Sequence, residues 1–204
     1  MTLPRKISYL TTAFLFGGLW LALLLLTPPE RTLGGIIRWV FAHGSLTQAA
    51  VFLFLISALL AAGYLLGNLK LEAWMKQIAG IAFGFWVAGL FISMIPARIA
   101  WGVWIDFSEP RTQMMLRVIA VGLIFLVLTW WINQPRFTAA ILLIFAFVLL
   151  FLVRSTALIR HPANPIGESP DRILPLIYTG ITLSALLAGL SLAAWLVERK
   201  MRGH

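Results

Sequence analysis

Residues 137–158 read FTAAILLIFAFVLLFLVRSTAL, and the only charged side chain in this run is that of Arg154. An α-helix rises about 1.5 Å per residue, so about 20 apolar residues are enough to cross the hydrocarbon core of a bilayer. Backbone polar groups find no water in that core, and a helix pairs them internally. The run therefore predicts a transmembrane helix.

Five further apolar runs have similar character. They cover residues 8–26, 36–66, 73–95, 114–132 and 175–197. The second run is longer than a bilayer requires, which predicts that residues 36–44 form a helical extension at the membrane surface. All ten prolines fall at or near the ends of the runs, where a missing N–H does least harm. The predicted fold is all-α, a single polytopic membrane bundle of about six transmembrane helices.

The composition supports a membrane protein and excludes several kinds of chemistry. Hydrophobic residues make up 61% of the 204 residues and charged residues 11%, against about 25% charged in soluble domains. Zero cysteines exclude disulfides, thiolate catalysis and cysteine-ligated zinc or iron–sulfur clusters. The net charge of +9 is spread between apolar runs and forms no contiguous basic face. Membrane lipids are therefore the expected partners of these cations, and nucleic acid is not.

The distribution of lysine predicts the orientation. Six spans place both termini on one side of the membrane, and all four lysines (Lys6, Lys70, Lys76 and Lys200) lie on that side. Lysine and arginine counted together divide evenly, so lysine alone carries the argument. The positive-inside rule then makes both termini cytoplasmic, in a bacterial inner membrane.

Small residues recur at every fourth position in two of the runs. The positions are Gly80, Gly84 and Ala88 in the third run, and Gly180, Ser184 and Ala188 in the sixth. Such stripes let transmembrane helices approach closely. They predict two close-packing faces, which is a statement about the bundle and not about function.

Two of the three histidines stand at the ends of different spans on the predicted outer face. His43 lies near the start of the second run and His161 follows the fifth. Neutral imidazole binds haem iron, and two histidines from separate helices can clamp one macrocycle between them. A histidine at a helix end is also commonly a solvated or capping residue, and that alternative stays open. His204, the last residue, is interpreted as part of the tail.

Residues 97–113, between the third and fourth runs, are rich in aromatic residues. If this outer segment is helical, Trp101 and Trp104 share one face and Phe107 lies beside it. The segment is then amphipathic, and its apolar face either lies in the headgroup layer or supports a flat apolar ligand. Interfacial tryptophans are common in membrane proteins, so an aromatic belt remains the alternative.

Three arginines from different spans lie near the same predicted outer face. They are Arg38, Arg117 and Arg154. Guanidinium groups suit two carboxylates on one ligand, such as haem propionates. Each arginine on its own can instead extend to a phospholipid headgroup, so their convergence is left open.

The order of these residues resembles the cytochrome c assembly family, specifically its CcmC-type haem-handling members. That family has six spans, a histidine at the outer start of the second span, a tryptophan-rich segment between spans three and four, and a second histidine between spans five and six. The matching positions here are His43, Trp101-Gly102-Val103-Trp104, Arg111-Thr112 and His161. Ile105 and Phe107 stand where the family has further tryptophans.

The resemblance implies a haem-binding or haem-presenting membrane protein of cytochrome c maturation that is not an enzyme. Haem, of b-type and either resident or in transit, is its implied cofactor, with His43 and His161 as iron ligands. The residues implied to contact the rest of the group are Trp101, Trp104 and Phe107 at the macrocycle, and Arg111, Arg38, Arg117 and Arg154 at the propionates.

Two other functions compete with haem binding. The motif has fewer tryptophans here than in the family. This also suits a membrane-anchor subunit that has lost haem and holds other membrane proteins in a respiratory or assembly complex. A small-solute transporter is weaker, because the span interiors contain almost no ionisable residues.

Overall fold

The computed structural model describes residues 8–156 and 173–202. The helices in this part of the chain are α1 Tyr9–Leu26, α2 Ile37–Leu65, α3 Glu72–Trp101, α4 Pro110–Ile132, α5 Pro135–Ser155 and α6 Ile173–Arg202, and a short 3-10 turn, Leu69–Leu71, precedes α3. All six are long and apolar enough to cross a membrane. The predicted all-α fold is therefore confirmed.

Local sequence explains where several helices begin and end. The Ser8 hydroxyl accepts a hydrogen bond from the Thr11 amide at the start of α1. Pro110 and Pro135 occupy the first turns of α4 and α5, where proline's fixed φ suits a helix and its missing N–H is no loss. Gly102 ends α3 with a φ of 75°, a left-handed conformation that glycine adopts without strain.

The bundle is organised around α2. This helix packs most extensively against α3 and also contacts α5 and α6, while α1 lies mainly on α6, and α4 lies on α5 and α3. The largest fully buried side chain is Trp86 of α3, in a cluster with Leu53 of α2 and Leu149 of α5. Helices α2 to α6 therefore share this apolar core, and much of the remaining apolar surface faces outward.

Close approach between α2 and α3 depends on Gly89. A Cβ at this position would lie 2.6 Å from the Thr47 hydroxyl oxygen and 3.3 Å from the His43 carbonyl oxygen. Gly80 and Gly84 have no such neighbour within 4 Å and are exposed. The expected close-packing face at Gly80 and Gly84 is therefore wrong, and the close contact on α3 lies elsewhere.

Helices α2, α4 and α6 all begin at the same end of the bundle, the His43 end. The Gly89 contact shows how far α3 extends at this end. Gly89 is level with His43, and α3 continues for twelve more residues to Trp101, about 18 Å at ~1.5 Å per residue. By the same measure α2 begins only about 9 Å beyond that level. The last turns of α3 therefore project past the start of α2.

Residues 36–44 differ from the expected surface extension. α2 is one unbroken helix from Ile37 to Leu65. One face of its first turns is buried, with Ile37 and Phe41 packed in a cluster with Leu24 of α1 and Leu174 of α6. These turns belong to the bundle because α1 and α6 supply apolar partners for them.

Residues 97–113 do not form the single helix that was considered for this segment. Residues 97–101 continue α3 past Pro96, which is buried within the helix and does not end it. Residues 102–109 contain no helix, and the remainder of the segment opens α4. Trp101 and Trp104 therefore do not share a helical face.

Candidate functional site at the His43 end

His43 lies on α2 and is half-buried. Its Nδ1 atom is 3.0 Å from the carbonyl oxygen of Trp39, one turn earlier in the helix. A carbonyl oxygen can only accept, so Nδ1 carries the hydrogen of this bond. In the neutral ring the lone pair is then on Nε2. Metal-binding histidines are commonly held by such a bond from the other ring nitrogen, which fixes their tautomer and orientation.

Tyr178 of α6 packs against the same turn of α2. Its hydroxyl oxygen would lie 2.9 Å from a Cβ placed on Gly44, and its ring centroid is 5.1 Å from that of Phe41. Arg111 lies in the first turn of α4, and its charge has a small electrostatic effect on the Tyr178 hydroxyl. The phenol hydroxyl therefore lies close to the α2 backbone beside His43. Nothing in the sequence had marked Tyr178, because its neighbours come from distant parts of the chain.

Glu109 provides a buried carboxylate just before α4. Its side chain is 2% exposed, and Oε2 accepts a hydrogen bond of 2.7 Å from the Thr112 amide as the helix cap. The other oxygen, Oε1, has no hydrogen-bond partner in the described part of the chain. The burial of Glu109 could not be foreseen from the sequence, because it depends on contacts with distant parts of the chain.

The aromatic residues of the outer segment lie at the projecting tip. Trp101 ends α3, and Trp104 and Phe107 follow in the irregular stretch, with exposed fractions of 39%, 56% and 66%. The Arg98 guanidinium lies 5.8 Å from the centre of the Trp104 ring and also hydrogen-bonds to the Gly102 carbonyl. Trp104 therefore packs against the end of α3, in the part of that helix that extends past His43.

The three span-end arginines, Arg38, Arg117 and Arg154, are exposed. Two of them make hydrogen bonds in different parts of the structure. Arg38 donates from Nε to the Thr27 carbonyl oxygen at 3.0 Å, and so closes the connection between α1 and α2. Arg117 donates to the Gln113 side chain in its own helix at 3.2 Å. Arg154 lies in the last turn of α5. Arg111, in contrast, is half-buried.

The second predicted ligand, His161, lies outside the described residues. Its pairing with His43 therefore remains a prediction. Among residues 8–156 and 173–202 there is no group of three or more histidine, cysteine or acidic side chains that could hold a metal ion.

Comparisons with protein-family models, curated proteins and solved structures found no match for this chain. The resemblance to the cytochrome c assembly family therefore depends on the residues of this chain alone.

Proposed function

We propose that the protein binds haem at the His43 end of the bundle, as a haem-handling membrane protein of cytochrome c maturation. The observation that supports this most is the hydrogen bond from His43 Nδ1 to the Trp39 carbonyl. It prepares Nε2 as an axial ligand, because the lone pair of a neutral imidazole held in this way is on that atom. The α2 helix supplies both partners, so the orientation is set before any ligand binds.

Arg111 is the described arginine that best suits a haem propionate. It is half-buried, while the three span-end arginines are exposed. A partly buried cation is screened less by water, and a guanidinium can bind a carboxylate through two hydrogen bonds. In this proposal Arg111 and Tyr178 would hold the polar edge of the group, and His161 would be the second iron ligand. Haem provides the redox-active iron, and this chain binds and orients it.

The aromatic tip at Trp104 and Phe107 has a separate part in the proposal. Both side chains are more than half exposed, and they follow the end of α3, which extends past the level of His43. We assign them to the edge of the macrocycle or to the protein that receives it, because large exposed apolar side chains outside a bilayer mark contact sites. This tip is also the observation that favours the anchor-subunit alternative, in which it binds a partner without haem.

The test is the absorption spectrum of the protein purified from membranes and then titrated with haemin. The wild type is expected to bind one haem per chain with the Soret band of a low-spin, histidine-ligated iron. His43→Ala is expected to lose at least 90% of that band, whereas the matched variant His204→Ala keeps it. A stoichiometric partner in a haem-free preparation of the wild type would favour the anchor subunit.

A further inference from the structure

A groove opens between α3, α4 and α5 in the half of the bundle away from His43. Its volume is about 460 Å³, and Phe54 of α2 contributes to its lining. Gly80 of α3 faces its open space, since a Cβ there would meet no atom within 4 Å. Gly122 of α4 lies against the Phe83 ring, which would be 2.5 Å from a Cβ at that position. The groove therefore stays open at Gly80, where a larger side chain would fill the space, while Gly122 lets the Phe83 ring pack directly against α4.

The lining is suited to a hydrocarbon chain. Most of it is aromatic or aliphatic, and its polar side chains are those of Lys76, Thr129 and Thr138. The two threonine hydroxyls donate to backbone carbonyl oxygens of Leu126 and Gln134, at 3.0 and 3.2 Å. A buried water needs two to four polar partners, and these walls offer few. An apolar occupant is therefore favoured over water.

The length and depth of the groove match one leaflet of a bilayer. Its lining on α4 extends from Gly122 to Trp130, about 12 Å along the helix axis. On α3 it begins at Lys76, one turn into the helix, and reaches Phe83 toward the middle of the span. Half of a hydrocarbon core is about 15 Å thick. A chain lying in this groove would run from the interface toward the bilayer centre.

The charge at the mouth of the groove favours an anionic headgroup. Lys76 lines the groove and pairs with Glu72 at 2.7 Å, with about a third of each side chain exposed. Lys70 precedes Lys76 by six residues, and Arg136, in the first turn of α5, precedes Thr138 by two residues, so both add positive charge at this end of the bundle. Three cations against one carboxylate leave a positive surface, which attracts anionic lipid.

We propose that this groove binds one acyl chain of an anionic phospholipid from the surrounding leaflet, with the lipid phosphate beside Lys76. The lipid fills space between α4 and the rest of the bundle, where α4 has few direct contacts with α3. It therefore acts as a structural cofactor that stabilises the position of α4. The proposal is independent of haem, since the groove is lined by the opposite half of α3 and α4.

The test compares two substitutions that add the same side chain to α3. Gly80→Leu fills the groove, whereas Gly84→Leu adds its side chain at an exposed position that does not line it. Native mass spectra of the full-length protein, purified in mild detergent, are expected to show one bound anionic phospholipid in the wild type and in Gly84→Leu. The bound fraction should fall at least fivefold in Gly80→Leu.

A second measurement keeps the proposal testable if Gly80→Leu fails to fold. Delipidated wild-type protein is titrated with dioleoyl phosphatidylglycerol or dioleoyl phosphatidylcholine, and the unfolding midpoint is followed. Phosphatidylglycerol should raise it at lower concentration, and Lys76→Gln should reduce that preference at least threefold. Equal lipid binding by Gly80→Leu and Gly84→Leu, equal response of the wild type to the two lipids, or a bound quinone in place of phospholipid would each overturn the proposal.

Discussion

The indole Nε1 of Trp86 donates a hydrogen bond of 3.2 Å to the Met115 carbonyl oxygen, and so connects α3 to α4 inside the core. Trp86 is fully buried, and α3 and α4 have few other direct contacts. The bond sets the level at which α4 begins, and with it the position of Arg111. This bond therefore connects core packing to the candidate site.

Replacing Trp86 by phenylalanine is expected to lower the free energy of unfolding by about 1–3 kcal/mol. The variant loses the hydrogen bond, worth about 1 kcal/mol within a bilayer, and leaves part of the indole volume empty. Trp130→Phe is the matched control, because Trp130 is 82% exposed and changes no buried contact. Circular dichroism in mixtures of dodecyl maltoside and SDS measures the difference. Equal stability of the two variants would contradict the assigned role of Trp86.

Gly89→Ala is expected to destabilise the bundle by about 1–3 kcal/mol, because the new methyl group meets the Thr47 hydroxyl and the His43 carbonyl. Gly84→Ala changes the same residue type five positions earlier in an open environment. It should be neutral or stabilising by up to about 1 kcal/mol, since alanine favours helix over glycine. The same unfolding assay separates the two. A Gly89→Ala protein as stable as Gly84→Ala would show that α2 and α3 are not in close contact there.

Glu109→Ala is expected to cost about 1 kcal/mol, because α4 loses the carboxylate that caps the Thr112 amide. Glu109→Asp keeps a side chain that caps helices well and should recover most of that stability. Hydrogen exchange of the first turn of α4, measured by mass spectrometry, reports the change locally. If exchange there is unchanged in Glu109→Ala, the cap contributes nothing to the helix.

The connection between α1 and α2 should loosen in acid. Hydrogen bonds from the Leu33 and Thr32 amides to the Glu30 carboxylate lower the pKa of that group below its ordinary value. A carboxyl with a lowered pKa contributes its stabilisation above its unfolded-state pKa, and this is lost as the pH falls through the folded-state pKa. Amide exchange at residues 32 and 33, corrected for its intrinsic pH dependence, should therefore rise below about pH 4.5. Glu30→Gln should remove this step, and a step that persists in the variant would assign it to another group.

The orientation proposed from the lysines can be tested because the chain has no cysteine. Ser108→Cys adds one thiol at the tip beyond α3, and Gln134→Cys adds one at the other end of the bundle, between α4 and α5. Both positions are exposed. If the termini are cytoplasmic, a membrane-impermeant maleimide should label only Ser108→Cys in intact spheroplasts. Labelling of Gln134→Cys alone would reverse the orientation.

Hydropathy was enough to predict the six helices, because in a bilayer a continuous apolar run of about 20 residues has few alternatives to a helix. The ends of the helices were harder to place. Pro96 seemed to mark the end of a span, yet α3 continues through it to Trp101. A proline removes one backbone hydrogen bond, and a helix tolerates that loss when its neighbours pack well.

The site could be predicted only where a residue's chemistry is distinctive along the chain. His43 stands out because the chain has three histidines. Tyr178 and Glu109 do not, since their importance comes from contact with Gly44 and from burial. Such contacts depend on how α2, α4 and α6 are aligned, and that alignment is set by close approaches and hydrogen bonds between helices that are distant in sequence.

The most direct test of the central claim uses His43→Gly, which leaves a space that free imidazole can occupy. With haem added, the variant should lack the low-spin Soret spectrum of the wild type and should regain it when imidazole is supplied. Restoration by imidazole separates iron ligation from a structural role, because a misfolded protein is not rescued by a small ligand. A His43→Gly protein with the wild-type haem spectrum before imidazole is added would contradict the assignment of His43 as the iron ligand.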